Sequence, residues 1–161
     1  MAIVQNFRLP LVLFATLGSA VTAGIFFAFS TFVMQALGRQ TPASGIAAMQ
    51  AINITVINPW FMAVFFGPAV LSLVLAIAAL RSWGQPSAMY WLAGALLYLI
   101  GTIGVTIAGN IPLNDALAVV NPNSAEGATL WARYLTDWTF WNHVRTLAAL
   151  LSAALFTLSL I

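Results

Sequence analysis

The sequence predicts an all-α integral membrane protein: a four-helix bundle with a short amphipathic helix between spans 1 and 2 and a helical or irregular segment between spans 3 and 4. Three observations predict it. Hydrophobic residues make up 62% of the 161 positions and charged residues only 5%, against roughly 25% charged in an average soluble domain. Four apolar stretches each reach the length of about 20 residues that a helix needs to cross the hydrocarbon core. The charges fall between or beside those stretches, and the length holds one domain, residues 1–161.

Composition also removes whole classes of function. Cysteine is absent, which excludes disulfides, thiolate metal sites, iron–sulfur clusters and cysteine nucleophiles within this chain. Five arginines and no lysine stand against three acids, and the arginines are scattered as Arg8, Arg39, Arg81, Arg133 and Arg145. That scatter offers no continuous basic patch, so no nucleic-acid partner is expected. The partners expected are a lipid bilayer and a hydrophobic small molecule, with small-residue rows that permit a homo-oligomer.

Span 1 covers about residues 9–37. Its small residues Ser19 to Ala23 imitate a signal-peptidase site, but the apolar run continues through Phe32, too long for a removed segment. Thr16, Ala20, Gly24 and Ala28 lie at four-residue spacing and predict a face for close helix approach. Thr41 followed by Pro42 has the form of an N-cap with proline at the first helical position, opening a short helix through about Val56. Its apolar positions Ile46, Met49, Ile52 and Val56 predict a helix that lies at the interface or folds back over the bundle.

Asn58 and Pro59 repeat the cap-and-proline pattern and open span 2, about residues 59–80. Inside it Pro68 cannot donate to the Val64 carbonyl and predicts a kink. Span 3 covers about residues 88–110, with Tyr90 and Trp91 as interfacial anchors. Gly94, Gly101 and Ala108 form its predicted close-packing row. Thr102, Thr106 and Asn110 form a polar stripe, and Pro112 is expected to end the helix. Residues 113–140 are mixed and hold all three acids, Asp115, Glu126 and Asp137; span 4 covers about residues 141–161.

Four crossings place the two longer connections on one side of the membrane and both termini on the other. Counting arginines near the spans gives a weak bias to a plasma or inner membrane location with cytoplasmic termini. The polar candidates collect on the side of the long connections: Gln50, Asn53, Asn110, Asn114, Asp115, Asn142, His143 and Arg145.

Arg145 is the strongest single pointer. An ionisable group a few residues inside an apolar helix costs about 2.5 to 3.5 kcal/mol on insertion scales unless it is paired or faces water. Its structural alternative is an ion pair with Asp115 or Asp137. His143 is the only histidine, so a bis-histidine haem cannot be built from one copy of the chain, whereas a single axial ligand can. As a neutral imidazole it can also serve as general base. Asn142 and Arg145 share a helix face, but His143 and Arg145 diverge by about 200°, so both meet one pocket only if the helix starts late or the pocket is wide. Asn110 is a substrate-orienting candidate or a helix cap; Gln50 and Asn53 contribute amides if the short helix covers the bundle. Trp60, Phe61, Phe65, Phe66, Trp131, Trp138 and Trp141 are belt anchors or the walls of a flat slot for an aromatic ligand.

Several stretches together resemble the anthrone-oxygenase-like family of small four-helix membrane proteins: Gly24-Ile-Phe-Phe-Ala-Phe-Ser30 with Phe32-Val-Met34, Ala48-Met-Gln-Ala-Ile-Asn53, Ile57-Asn-Pro59 with Phe61, Gly109-Asn-Ile-Pro-Leu-Asn114 and Trp141-Asn-His-Val-Arg145. They span all but the N-terminus and the 81–97 region. The resemblance implies oxidation of anthrones to anthraquinones without a metal or organic cofactor, although most members have no assigned activity and fold transfers better than function. Anthrone-type carbons lose a proton to give an aromatic enolate that reacts directly with dioxygen, so a site needs a base, donors for the oxyanion and an apolar slot. The leading expectation is thus a membrane oxygenase-like enzyme acting on a phenolic or anthrone-like compound. Arg145 holds the oxyanion, His143 is the base, Asp115 or Asp137 pairs with Arg145, and Asn110, Asn142, Asn114, Gln50, Asn53, Trp138 and Trp141 contact substrate. The alternatives are a haem- or quinone-binding module, with His143 as the single axial ligand, and a noncatalytic membrane partner or permease.

Overall fold

The computed structural model describes residues 8–161, and among the described residues all regular structure is helical. Five helices follow in order: α1, Arg8–Gly38; α2, Pro42–Thr55; α3, Pro59–Arg81; α4, Pro86–Val119; α5, Ala125–Leu158. By length and composition α1, α3 and α4 can cross a membrane. The protein is an all-α membrane bundle in which α5 packs along α1, α4 and α2. Large apolar residues on the outside of all four long helices, such as Phe14, Val70, Ile100 and Leu151, are about half exposed or more, which suits a lipid-facing surface.

Two ends differ from expectation. The α4 helix does not stop at Pro112 but runs on to Val119. Thr106–Asn110 forms a π-helical turn in which the Ile111 N–H donates to the Thr106 carbonyl, five residues back. That shift of pairing admits the proline ring without breaking the helix. The α5 helix begins far earlier than residue 141, at Ala125, because Ser124 Oγ accepts from the Gly127 N–H at 2.9 Å and Glu126 sits in the first turn beside the positive end of the helix dipole. From there Trp131, Tyr134, Trp138, Asn142, Arg145 and Ala149 form one buried stripe at three- and four-residue spacing.

A second π-helical stretch, Leu97–Gly104, precedes the Thr106–Asn110 turn, and together they explain a drift in the α4 packing row. A Cβ on Gly94 would meet Phe156 and one on Gly101 would meet Ala148 Cβ at 2.6 Å, as the seven-residue row predicts. One π-turn later the contact falls on Gly109, against Trp141, and Ala108 is exposed. On α1 the expected row is displaced as well. Ala20 and Gly24 face outward, and the buried face is Val12, Ala15, Ser19, Thr22, Ala23 and Phe26. Equally small residues stand on both sides of α1, so size alone did not identify the packed side.

Helix α3 continues through Pro68, and the carbonyl that the proline leaves without an intrahelical donor is satisfied from outside. Thr22 Oγ1 donates toward Val64 O at 3.2 Å and Gly18 O at 2.9 Å, and Tyr98 Oη donates to Phe65 O at 2.8 Å. Thr22→Val keeps the shape and removes that donor. Its expected result is a loss of about 1 kcal/mol in reversible unfolding in mixed micelles, and unchanged stability would show that the Val64 carbonyl needs no partner.

Thr41 and Asn58 cap α2 and α3 as their sequence pattern predicts: Thr41 Oγ1 accepts from Ser44 N at 3.3 Å, and Asn58 Oδ1 from Trp60 N and Phe61 N at 3.1 and 3.0 Å. Between these caps α2 folds back over the bundle. Its Ile46 and Met49 join Met34, Leu117, Trp131, Tyr134 and Trp138 in one buried cluster. Gln50 Nε2 donates to Leu117 O and Val120 O at 2.8 and 3.1 Å, satisfying carbonyls at the end of α4.

Candidate functional site

The polar end of the bundle is built around one cation. Arg145 is 7% exposed. Its Nε donates to Asn142 Oδ1 at 2.8 Å, and its Nη1 to Thr106 Oγ1 at 3.3 Å. Its guanidinium carbon lies 4.0 Å from the Phe26 ring centroid and 5.0 Å from that of Trp138. Aromatic faces replace part of the lost hydration of a cation. Among the described residues the one ion pair is Arg133–Asp137, at 3.5 Å on the surface, so no carboxylate neutralises Arg145. A guanidinium has five N–H groups, and two of them have protein acceptors here.

Each neighbour is held in turn. Asn142 is fully buried; its Nδ2 donates to Phe26 O and Ser30 Oγ, both at 2.6 Å, tying α5 to α1. All its amide atoms are thereby engaged with protein, so it orients Arg145. Thr102, Thr106 and Asn110 face α5 as the predicted stripe: Thr102 Oγ1 reaches the Arg145 carbonyl at 3.5 Å, and Asn110 Nδ2 donates to Trp138 O at 3.2 Å. Asn110 is fully buried and its Oδ1 has no partner. Beneath the cation Asn114 Oδ1 accepts from Trp138 Nε1 and Tyr134 Oη, each at 2.8 Å, which fixes the indole ring. Burial raises the Tyr134 phenol above its ordinary pKa against smaller opposing effects of Asn53 and Arg145, so the hydroxyl stays a donor. Phe61, Phe65 and Phe26 continue the aromatic wall, with Phe61–Phe65 stacked at 5.7 Å and Phe26–Phe65 edge-on at 6.1 Å.

Of the residues expected in the site, Arg145, Asn142, Asn110, Asn114 and Trp138 come together. Asn53 lies beside Tyr134 with its amide nitrogen buried and unpartnered. Gln50 is spent on α4, and Trp141 packs over Gly109 with a partly exposed ring. His143 does not join them. The α5 helix is already regular when it reaches residue 143, so the 200° divergence from Arg145 holds, and His143 is exposed on the opposite face. A haem on this histidine would therefore sit away from the Arg145 cluster. Asp115 is exposed on the extension of α4, and Asp137 is engaged with Arg133, so neither pairs with Arg145. Phe26 and Ser30 were not singled out as site residues; a serine in an apolar run reads as a small packing residue until its partner Asn142 is known. Among the described residues no three metal-ligating side chains cluster.

A family model described as anthrone oxygenase matches residues 60–155. That range includes Phe61, Phe65, Thr106, Asn110, Asn114, Trp138, Asn142 and Arg145, whereas Phe26 and Ser30 precede it. No curated protein and no solved structure matches the chain. The matched segment covers more than half of the sequence, and with it the chain belongs to the anthrone oxygenase family.

Proposed function

We propose that this protein is a membrane-embedded oxygenase-like enzyme that oxidises a flat phenolic carbon acid of the anthrone class with dioxygen. The single observation that carries the reading is the buried guanidinium of Arg145, held by Asn142 and Thr106 between aromatic rings and left without a carboxylate. A cation so placed favours an oxyanion more strongly than it could in water, and it needs no reorganisation to do so.

In this proposal the substrate's ring carbonyl meets the free N–H groups of Arg145, and the unpartnered Asn110 Oδ1 accepts from a substrate hydroxyl. Loss of one methylene proton to water gives the enolate, whose charge Arg145 holds. The carbanion form attacks dioxygen, the resulting peroxide loses water, and a ketone remains. One substrate and one dioxygen thus give one quinone and one water; the methylene carbon is oxidised and dioxygen reduced. The carbanion is itself the reductant; His143 and Asp115 are exposed and make no contact with Arg145, and neither is assigned a step.

Purified protein supplied with an anthrone under ¹⁸O₂ is expected to consume one dioxygen per quinone and to place one labelled oxygen in the new carbonyl, faster than the spontaneous reaction. A rate equal to that of protein-free micelles, or label drawn from water before any exchange of the quinone, would overturn the proposal.

A further inference from the structure

The opposite end of the bundle carries a second constellation that the proposed reaction does not use. An open cavity of about 590 Å³ is lined by Arg8 of α1, Ile77 and Arg81 of α3, Trp83 and Gln85 of the following turn, and Trp91 of α4, with no acid among its lining residues. The two arginines, far apart in sequence, thus meet around one space. Arg8 is partly buried and pre-oriented: its Nη2 donates to Ser159 O at 2.6 Å, and its guanidinium carbon stands 5.3 Å from the Trp91 ring centroid. Trp91 is fixed in turn by its Nε1 bond to Ser159 Oγ at 3.0 Å. Arg81 ends α3 and is exposed.

We propose that this cavity binds the headgroup phosphate of an anionic phospholipid. Two guanidinium groups that form no ion pair among the described residues match a phosphate in charge and geometry, and basic pockets between membrane helices are suited to anionic headgroups. The cavity also opens beside lipid-facing residues of α3, since Leu73, Ile77 and Leu80 are 54%, 43% and 63% exposed. Acyl chains can therefore lie on that face while the phosphate reaches Arg8 and Arg81, a match that a free ion does not use. Trp83, exposed at the rim, fits the interfacial level at which a headgroup lies.

The test is a titration of delipidated, detergent-solubilised full-length protein with phosphatidylglycerol, phosphatidylcholine or inorganic phosphate, read as the rise in melting temperature and by native mass spectrometry. Phosphatidylglycerol is expected to raise the melting temperature and remain bound, with an apparent affinity about fivefold weaker in Arg81→Gln and again in Arg8→Gln, and weaker at high salt. Arg81→Gln is the primary variant because Arg81 is exposed and its loss leaves the fold intact. Equal effects of phosphatidylcholine, or an unchanged response in Arg81→Gln, would overturn the proposal. Protection by inorganic phosphate equal to that by phosphatidylglycerol would overturn the lipid assignment in favour of a free anion. None of these readouts depends on turnover, so the site and the oxygenase reading stand or fall separately.

Discussion

Arg145→Ala is expected to lower kcat/KM toward an anthrone by about a hundred- to a thousandfold while the protein still folds. The magnitude is that of removing a preorganised oxyanion donor. The persistence of the fold follows from what surrounds the residue. The guanidinium is buried without a carboxylate, and its removal takes away a desolvated charge at the cost of two hydrogen bonds. Those two effects oppose one another, so the melting temperature is expected to move little while turnover falls, a combination that separates a functional cation from a structural one. Arg145→Lys sharpens the comparison. A lysine keeps the charge but loses the planar fork that meets Asn142 and Thr106 at once, so intermediate activity is expected. The measurement is steady-state turnover alongside thermal melting; unaltered turnover in Arg145→Ala would remove the oxyanion role.

Asn142→Ala is expected to damage both properties together. One side chain satisfies Phe26 O, Ser30 Oγ and Arg145 Nε, and the alanine leaves all three buried groups short of a partner. A loss of roughly 3 kcal/mol is expected, since an unsatisfied buried group costs about 1 to 3 kcal/mol and hydrogen bonds within membranes average only about 0.6 kcal/mol in double-mutant cycles. Activity falls because the guanidinium is no longer aimed. Asn142 acts through Arg145, so the double variant Asn142→Ala/Arg145→Ala is expected to turn over no more slowly than Arg145→Ala alone. Multiplicative losses in the double variant would show that Asn142 contributes independently of the arginine.

Parts of this site were legible before any coordinates. Thr102, Thr106 and Asn110 lie at helical spacing, and Arg145 was conspicuous because a charge inside an apolar stretch has few explanations. Helical arithmetic already joined Asn142 to Arg145 and set His143 apart from them. The early start of α5 keeps that divergence, with His143 exposed and away from Arg145. Asp115 was expected, with Asp137 as the alternative, to pair with Arg145, yet it is exposed and about 100° around the helix from Asn114, which faces Trp138 and Tyr134.

Other parts were not legible for definite physical reasons. A π-turn leaves no compositional mark, so nothing in the α4 sequence announced that the packing row would pass from Gly101 to Gly109 or that Pro112 would lie inside a continuing helix. The buried side of α1 carries the smaller residues Ala15, Ser19, Thr22 and Ala23 while Phe14, Leu17, Val21 and Phe27 face outward, but Ala20 and Gly24 offer the same small-residue spacing on the other side. Asn142 distinguishes the two sides by seeking Ser30 and the Phe26 carbonyl.

That junction between α1 and α5 bears on how the chain is made. Among the described helices α5 alone of the long ones falls outside those able to cross a membrane by length and composition, and the residues that dilute its apolar half include Asn142 and Arg145. A ribosome delivers α1 before α5. The later helix thus meets a partner made before it, whose Ser30 hydroxyl and Phe26 carbonyl receive the asparagine that is costly to leave in lipid. Biogenesis and site assembly become one event: the contact that lets α5 settle is also the contact that aims the arginine.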